Sequence, residues 1–214
     1  MCTSLGQPVY RKIGFSDAGR VTALKTTVSA AGAIDAAASD SSESLRYETY
    51  GSLDRTNSDS PPAVDSEILD NVASLDARAT GWNRKRRLQT MLQPRSGSDL
   101  RSMAAIATNQ HHEIIGATIL RQEGPGSPLV VGPLVGAERA ALHLVAVLAR
   151  AVPEDIDAST PLSLLVSDHP ALVEEFTSAG FSVAFDFPAM SLDGEPIYQH
   201  GDGSYLSLIH PTLG

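Results

Sequence analysis

Residues 168–187 read DHPALVEEFTSAGFSVAFDF, a stretch that combines signals for a helix, a tight turn and a strand. The apolar positions of 169–176 have helical spacing, and a glycine follows them at Gly180. Glycine at the residue after a helix readily takes the positive φ that ends the last turn, and the aromatic Phe181 then packs back on that turn. The stretch therefore predicts a helix–turn–strand unit.

The beginning of the chain repeats this unit. Residues 4–15 read SLGQPVYRKIGF, so that an aromatic residue, a glycine and a second aromatic recur at equal spacing. The aligned pairs are Tyr10 with Phe176, Gly14 with Gly180 and Phe15 with Phe181. The sequence predicts a tandem repeat whose first copy has lost most of its length.

Composition limits the classes of function. The chain has 214 residues, of which 42% are hydrophobic, and its net charge is -9. Sequence-independent nucleic-acid binding depends on clustered Lys and Arg, so we expect no nucleic-acid partner. The one basic cluster, at residues 84–87, is interpreted as a solvated helix face.

The sequence also bears on location. Cys2 is the single cysteine, so no internal disulfide is expected, and residues 1–12 contain no apolar signal segment. No run reaches the roughly 20 apolar residues of a membrane span. The sequence predicts a cytoplasmic protein without a membrane partner, and leaves a nuclear location open.

Three segments are predicted. Residues 1–28 form the remnant of the first repeat, with a strand at 21–28, and are too small to fold without docking on something. Residues 29–64 are rich in Ser, Ala and Asp and are predicted to be a disordered linker. Residues 65–214 form the main domain.

The main domain has the predicted order α-α-β-β-β-α-β-α-β-β. Asp65 is a candidate N-cap for the first helix, which precedes a second helix at 83–93. Strands are predicted at 102–108, 113–122 and 128–135, a long helix at 137–151, and a buried strand at 162–166. A strand at 205–210 closes the sheet.

This order, together with several short motifs, resembles the GNAT (GCN5-related N-acetyltransferase) superfamily. More narrowly, it resembles the degenerate C-terminal domain of tandem acetyltransferases of the YitH type. The motifs are Leu75-Asp76, Gly81-Trp-Asn-Arg84, Val131-Gly132-Pro133-Leu134, Phe176 with Gly180-Phe181, Phe187-Pro188-Ala189-Met190 and the terminal Leu213-Gly214. The resemblance implies an α/β (α+β) fold with a mixed, mostly antiparallel sheet flanked by helices.

The resemblance implies a site for acetyl-CoA. In such folds the strand before the central helix, here 129–135, separates from its neighbour, here 162–166, and pantetheine lies in the gap. A pyrophosphate at the start of the following helix needs free backbone N–H groups. The implied cofactor-binding residues are Val131, Gly132, Leu134, Gly136, Ala137 and Arg139. Glu138 places a carboxylate where a phosphate would lie, so a plain strand–helix turn is the alternative.

The same resemblance assigns further roles. The family's general acid is commonly a tyrosine before the Gly-Phe pair, and Phe176 at that position has no proton to give. Tyr10 of the first repeat has the matching tyrosine and is the candidate catalytic residue, although its own cofactor strand is absent. Asp76 and Arg84 are candidate acceptor-binding residues, or else a capping network between two helices.

No metal site is predicted, because the start of an H-E-x-x-H motif at His112 has Gly116 in place of the second histidine. The sequence thus favours an acetyl-CoA-dependent N-acetyltransferase acting on a small-molecule or peptide amine. The alternative is a non-catalytic GNAT-like scaffold that binds a partner. A homodimer, or docking to a second GNAT repeat, is the assembly that the scaffold implies.

Overall fold

The computed structural model describes residues 6–34, 45–53, 64–92, 100–192 and 205–207, which form six helices and eight strands. The helices are α1 (Gln7–Lys12), α2 (Val28–Gly32), α3 (Ser66–Thr80), α4 (Lys85–Leu92), α5 (Glu138–Arg150) and α6 (Pro170–Ser178). The strands are β1 (Ser16–Thr27), β2 (Arg46–Ser52), β3 (Arg101–Thr108), β4 (Ile114–Gln122), β5 (Leu129–Gly136), β6 (Pro161–Ser167), β7 (Ser182–Ser191) and β8 (Tyr205–Ser207).

All eight strands belong to one mixed sheet, in the order β2-β3-β4-β5-β8-β6-β1-β7. Every adjacent pair is antiparallel, and β5 and β6 additionally pair in parallel over a short length. The mixed, mostly antiparallel sheet and the predicted order of elements from α3 to β8 are therefore confirmed. The described part of the closing strand is β8, and residues 208–210 lie outside the described range.

Helices cover both faces of the sheet. On one face, α3 and α4 bury Leu69, Val72 and Leu88 against β3, β4 and β5. On the other, α2, α5 and α6 bury a second cluster that includes Leu144 and Phe176. Each Å² of apolar surface that is buried stabilises the fold by about 25 cal/mol, so these two layers are the main source of stability.

The helix ends follow the sequence signals. The side chain of Asp65 accepts a hydrogen bond from the N–H of Ile68 at 2.8 Å, and Gly81 ends α3 with φ 73°. Both residues therefore cap α3 by ordinary local chemistry. In the described ranges, no helix combines the length and the apolar character that crossing a bilayer requires.

Residues 6–28 dock into the sheet of the main domain. β1 pairs with β6 on one side, from Val21 opposite Ser167 to Thr27 opposite Pro161, and with β7 on the other. Val21 and Leu24 are fully buried. The strand prediction is confirmed, but a boundary at residue 28 does not separate two folded units. The origin of this segment as a repeat remnant stays a prediction.

The prediction of a disordered linker at 29–64 is wrong for the residues that the structure describes there. Val28–Gly32 form α2, and Arg46–Ser52 form β2, which pairs antiparallel with β3. The reason is burial: Tyr50 is 8% exposed and Tyr47 packs against the core cluster under α5. Residues 35–44 and 54–63 of the predicted linker lie outside the described ranges.

Candidate functional site

A polar cavity of about 1130 Å³ opens where the amino end of α5 meets the side of α3. Three segments contribute to it: one side of α3, the end of the β3–β4 hairpin, and the turn from β5 into α5. The lining residues are Asn71, Ser74, Leu75, Arg78, His112, Glu113, Ile114, Ile115, Gly136, Ala137, Glu138 and Arg139. The predicted cofactor residues Gly136, Ala137 and Arg139 are therefore brought together at this cavity.

The turn at Gly136 depends on having no side chain. Its φ is +113°, and a Cβ there would lie 2.1 Å from the carbonyl oxygen of Ile115 and 2.5 Å from the Cα of Gly116. Real Cβ atoms do not approach backbone this closely, so glycine is the residue that fits. The N–H of Ala137 donates to the same Ile115 carbonyl at 2.8 Å, which ties the start of α5 to β4.

Charges of both signs lie at the cavity. The exposed guanidinium groups of Arg78 and Arg139 line it, and both can hold a phosphate oxygen. Glu138 lies in the first turn of α5, where the helix dipole favours an anion. Its carboxylate Oε1 is 2.9 Å from Nδ1 of His169, the residue preceding α6. Glu138 therefore joins the amino ends of α5 and α6.

The parallel strands β5 and β6 separate before β5 reaches this cavity at Gly136. They pair at Leu129 with Leu162, at Val130 with Ser163 and at Val131 with Leu164, and no further along the chain. A β-bulge begins at that point. Between the pairs Leu120–Val131 and Thr118–Leu134, β4 has one residue and β5 has two, Gly132 and Pro133. Bulges bend a strand away from its neighbour. The separation expected for residues 129–135 and 162–166 is thus present.

The gap between the two strands is occupied by β8. Leu134 and Val135 of β5 pair with Ser207 and Tyr205, while Val166 of β6 also pairs with Ser207. Leu206 between them is fully buried in the core cluster that includes Leu134. The closing strand thus lies inside the gap and not at the outer edge of the sheet.

Solved structures similar in fold to this chain include GNAT N-acetyltransferases. A GCN5-related N-acetyltransferase from Anabaena variabilis matches 86% of this chain with a TM-score of 0.51 and 16% identity. A tandem GNAT protein from the clavulanic acid biosynthesis pathway matches 89% with a TM-score of 0.52 and 15% identity. A GCN5-related N-acetyltransferase from Sphaerobacter thermophilus matches 88% with a TM-score of 0.52 and 12% identity.

The chain has the GNAT fold. It spans 42%, 58% and 56% of the lengths of these three structures, in the order given. No family model and no curated protein matches the sequence. At these identities the likeness establishes the fold, and chemistry has to be argued from the site.

In this GNAT fold, Asp76 and Arg84 bind each other. Nε and Nη2 of Arg84 donate to the two carboxylate oxygens of Asp76 at 2.9 and 2.5 Å, and the side chains are 8% and 0% exposed. The pair joins the last third of α3 to the residue that precedes α4. The geometry supports the predicted network between two helices, and a role in binding an acceptor stays a prediction.

The two aromatic positions of the repeat differ in surroundings. Phe176 is fully buried, whereas Tyr10 is 39% exposed on α1 and packs edge-on against Phe15 with ring centroids 5.4 Å apart. Tyr10 is not among the residues that line the cavity. Its assignment as the catalytic acid stays a prediction without a site around it.

The sequence analysis missed several cavity residues. Asn71, Ser74 and Arg78 lie on one side of α3, at i, i+3 and i+7, whereas the apolar residues that predicted this helix lie on its other side. That polar spacing was the available signal. Among the described residues, no group of three or more His, Cys, Asp or Glu could hold a metal ion.

Proposed function

We propose that this chain is the acetyl-CoA-binding domain of a GNAT-type N-acetyltransferase that acts in the cytoplasm on a small-molecule or peptide amine. The observation that carries the proposal is that β5 separates from β6 after Val131 and then leads, at Gly136, to a polar cavity at the amino end of α5. A strand gap that continues into a helix amino terminus suits a ligand with a narrow thioester arm and a phosphorylated end.

Acetyl-CoA would supply a thioester whose carbonyl carbon an uncharged amine attacks; the C–N bond forms, the C–S bond breaks to release a thiolate, and the nitrogen loses one proton to solvent. Backbone N–H groups of β5 near Leu134 would polarise that carbonyl. Arg78 and Arg139 would neutralise the phosphates at the cavity. Phe176 has no proton to give, so solvent would protonate the leaving thiolate.

A second candidate function is a non-catalytic scaffold, and β8 is the observation that favours it. The edge of β5 at Leu134 and Val135 is paired with β8, and Leu206 is buried in the core. A thioester arm cannot enter this gap while β8 is in place. Catalysis therefore requires that β8 leave the gap, whereas a scaffold requires that it stay.

Calorimetric titration with acetyl-CoA tests both functions. The variants are Arg78→Ala and, as a control of equal charge on the exposed side of α4, Arg86→Ala. Loss of one charged contact to a phosphate costs about 1.5 kcal/mol, which weakens binding by about tenfold. We therefore expect Arg78→Ala to bind acetyl-CoA about tenfold more weakly than the natural chain. Arg86→Ala should bind it as the natural chain does.

A chain that ends at residue 204 separates the two candidates, with circular dichroism confirming that it still folds. Tighter binding of acetyl-CoA by this shortened chain supports a transferase whose gap is closed by β8. No binding by either chain contradicts the transferase proposal and favours the scaffold. Should the shortened chain not fold, the variant Leu206→Ala, which shortens the buried side chain and leaves β8 present, provides the same comparison.

A further inference from the structure

The two helix–turn–strand units of this chain have the same local geometry. Each unit consists of an aromatic residue, a glycine and a second aromatic residue: Tyr10, Gly14 and Phe15 in the unit α1–β1, and Phe176, Gly180 and Phe181 in the unit α6–β7. The glycine φ values are 98° and 99°. In each unit the N–H of the second aromatic donates to the carbonyl of the first at 3.0 Å. The two ring pairs are both edge-on, at 5.4 and 4.9 Å.

The two units are also related to each other in space. β1 and β7 are antiparallel neighbours, from Ser16 opposite Ser191 to Lys25 opposite Ser182. Antiparallel neighbours in a sheet are exchanged by a local two-fold axis between them. Because the strands and the turns that precede them match, this axis relates α1–β1 to α6–β7.

The surroundings of the two units break this symmetry. β1 pairs on its far side with β6, the strand that precedes α6 in the chain. No strand in the described ranges pairs with the far side of β7. The ring of Phe176 is fully buried in the core of its own domain, whereas Tyr10 is 39% exposed.

Exposed apolar side chains are concentrated where the symmetric partner would lie. Val9 and Ile13 of α1 are 61% and 62% exposed, and Val183 and Phe185 of β7 are 50% and 65% exposed. Leu192 is 58% exposed. It lies next to the turn after α1, since its Cδ1 would be 3.7 Å from a Cβ added to Gly14. Exposed apolar side chains that cluster in this way mark an interaction site.

We propose that α1 and the far edge of β7 form a docking surface for a second domain of the GNAT fold. A strand of that domain, equivalent to β6, lies antiparallel to β7 as β6 lies antiparallel to β1. The apolar side of α1 covers the partner's core as α6 covers the core of this domain. The sheet then continues through both domains, with β1 and β7 at its centre.

A second copy of this chain does not provide that strand. Its own β6 is already paired with β1 on one side and with β8 on the other. The partner must instead present a strand equivalent to β6 with one free edge. A domain that lacks its own copy of β1 has such a strand. This requirement does not depend on acetyl transfer.

A fusion tests the inference with the full chain intact. Residues 28–166 run from the residue after β1 to the penultimate residue of β6. In the fusion a copy of them is placed directly before Met1. The copied β6 then has no β1 beside it, and α1–β1 follows it as α6–β7 follows the original. We expect one cooperative unfolding transition and slower hydrogen exchange of the β7 amides than in the natural chain.

The substitution Ile13→Lys supplies the sharper comparison. Ile13 is exposed in the natural chain, so the substitution should leave its melting temperature unchanged. In the fusion the lysine is forced into the new interface and lowers the melting temperature by about 3–6 °C. Trp82→Lys is the matched control, because Trp82 is 49% exposed on the turn between α3 and α4. It should leave both proteins unchanged.

Three outcomes contradict the inference. An added half that stays unfolded, or melts separately, lacks the docking that the two-fold axis predicts. Exchange of the β7 amides at the natural rate shows that their edge remains uncovered. A dimer of the natural chain with protected β7 amides, detected by light scattering with hydrogen exchange, shows that a second copy occupies the surface instead.

Discussion

Replacement of Gly136 by alanine should destabilise the chain more than the same change at Gly180, whose φ is similar. At +113° the backbone is in a region that costs a residue with a Cβ about 1–3 kcal/mol. The added Cβ also meets the Ile115 carbonyl oxygen at 2.1 Å and Gly116 Cα at 2.5 Å. Both are backbone atoms of β4 that move only with the strand, and such overpacking costs a further ~1–3 kcal/mol. The total is about 4 kcal/mol.

Gly180→Ala is the matched control, since its φ is +99° and nothing lies within 4 Å of its would-be Cβ. It carries the dihedral cost without the contact, about 1–3 kcal/mol. Urea unfolding followed by circular dichroism measures both variants; with an m-value of about 2–3 kcal/mol/M, the midpoint should fall by about 1.5 M for Gly136→Ala. Equal shifts for the two variants would refute the steric reasoning and the closeness of β4 to this turn.

Three further changes are expected to give defined results. Arg84→Met leaves the carboxylate of Asp76 buried without its partner and should lower the free energy of unfolding in urea by about 3–5 kcal/mol. Arg86→Met on the exposed side of α4 should change the urea midpoint little. Similar effects of the two substitutions would mean that the buried pair is not formed. Burial raises the pKa of Glu175 above its usual 4.5, an effect that His143 opposes, so the proton is held more tightly in the folded chain. This contribution to stability is present below the unfolded pKa and is lost as the pH rises through the folded pKa. Glu175→Gln should therefore gain stability relative to the natural chain as the pH rises above about 4, and parallel pH profiles would contradict this. Leu206→Ala should cost about 2–5 kcal/mol because its side chain is fully buried, and a shift within measurement error would show that β8 does not occupy the gap.

Local signals in the sequence predicted most of the elements. Asp65 caps α3, and the long apolar side of α5 marks a helix that packs on the sheet. Gly180 and Phe181 behave as a helix end followed by an aromatic that packs back on the last turn. These features depend on residues close in the chain, which is why sequence patterns contain them.

The order of strands in the sheet could not be predicted in the same way. β1 lies between β6 and β7, and β2 at the opposite edge pairs with β3, although only Tyr47 and Tyr50 distinguish its segment from the polar residues around it. Two large side chains supply enough buried surface for a strand that is added to an existing edge. Which edge receives a strand depends on partners far away in the chain.

The candidate site was predicted in part for a similar reason. Gly136, Ala137 and Arg139 lie within four consecutive residues, and the resemblance to the GNAT family implied them as cofactor-binding residues. Arg78 reaches the same cavity from a helix that precedes them by many residues, and only the packing of α3 against β4 and β5 brings it there. The insertion of β8 is equally non-local and decides whether the gap is open.

The central place of β1 has a consequence during synthesis. Val21 pairs with Ser167 and Phe187, so the ribosome must make nearly the whole sheet after β1 before β1 can gain either neighbour. At about 5–20 residues per second this leaves β1, including Val21 and Leu24, with two bare edges for roughly 7–30 s. A nascent chain of this kind is an obvious client for a holding chaperone, and its yield should respond to translation speed more than to the stability of the finished fold.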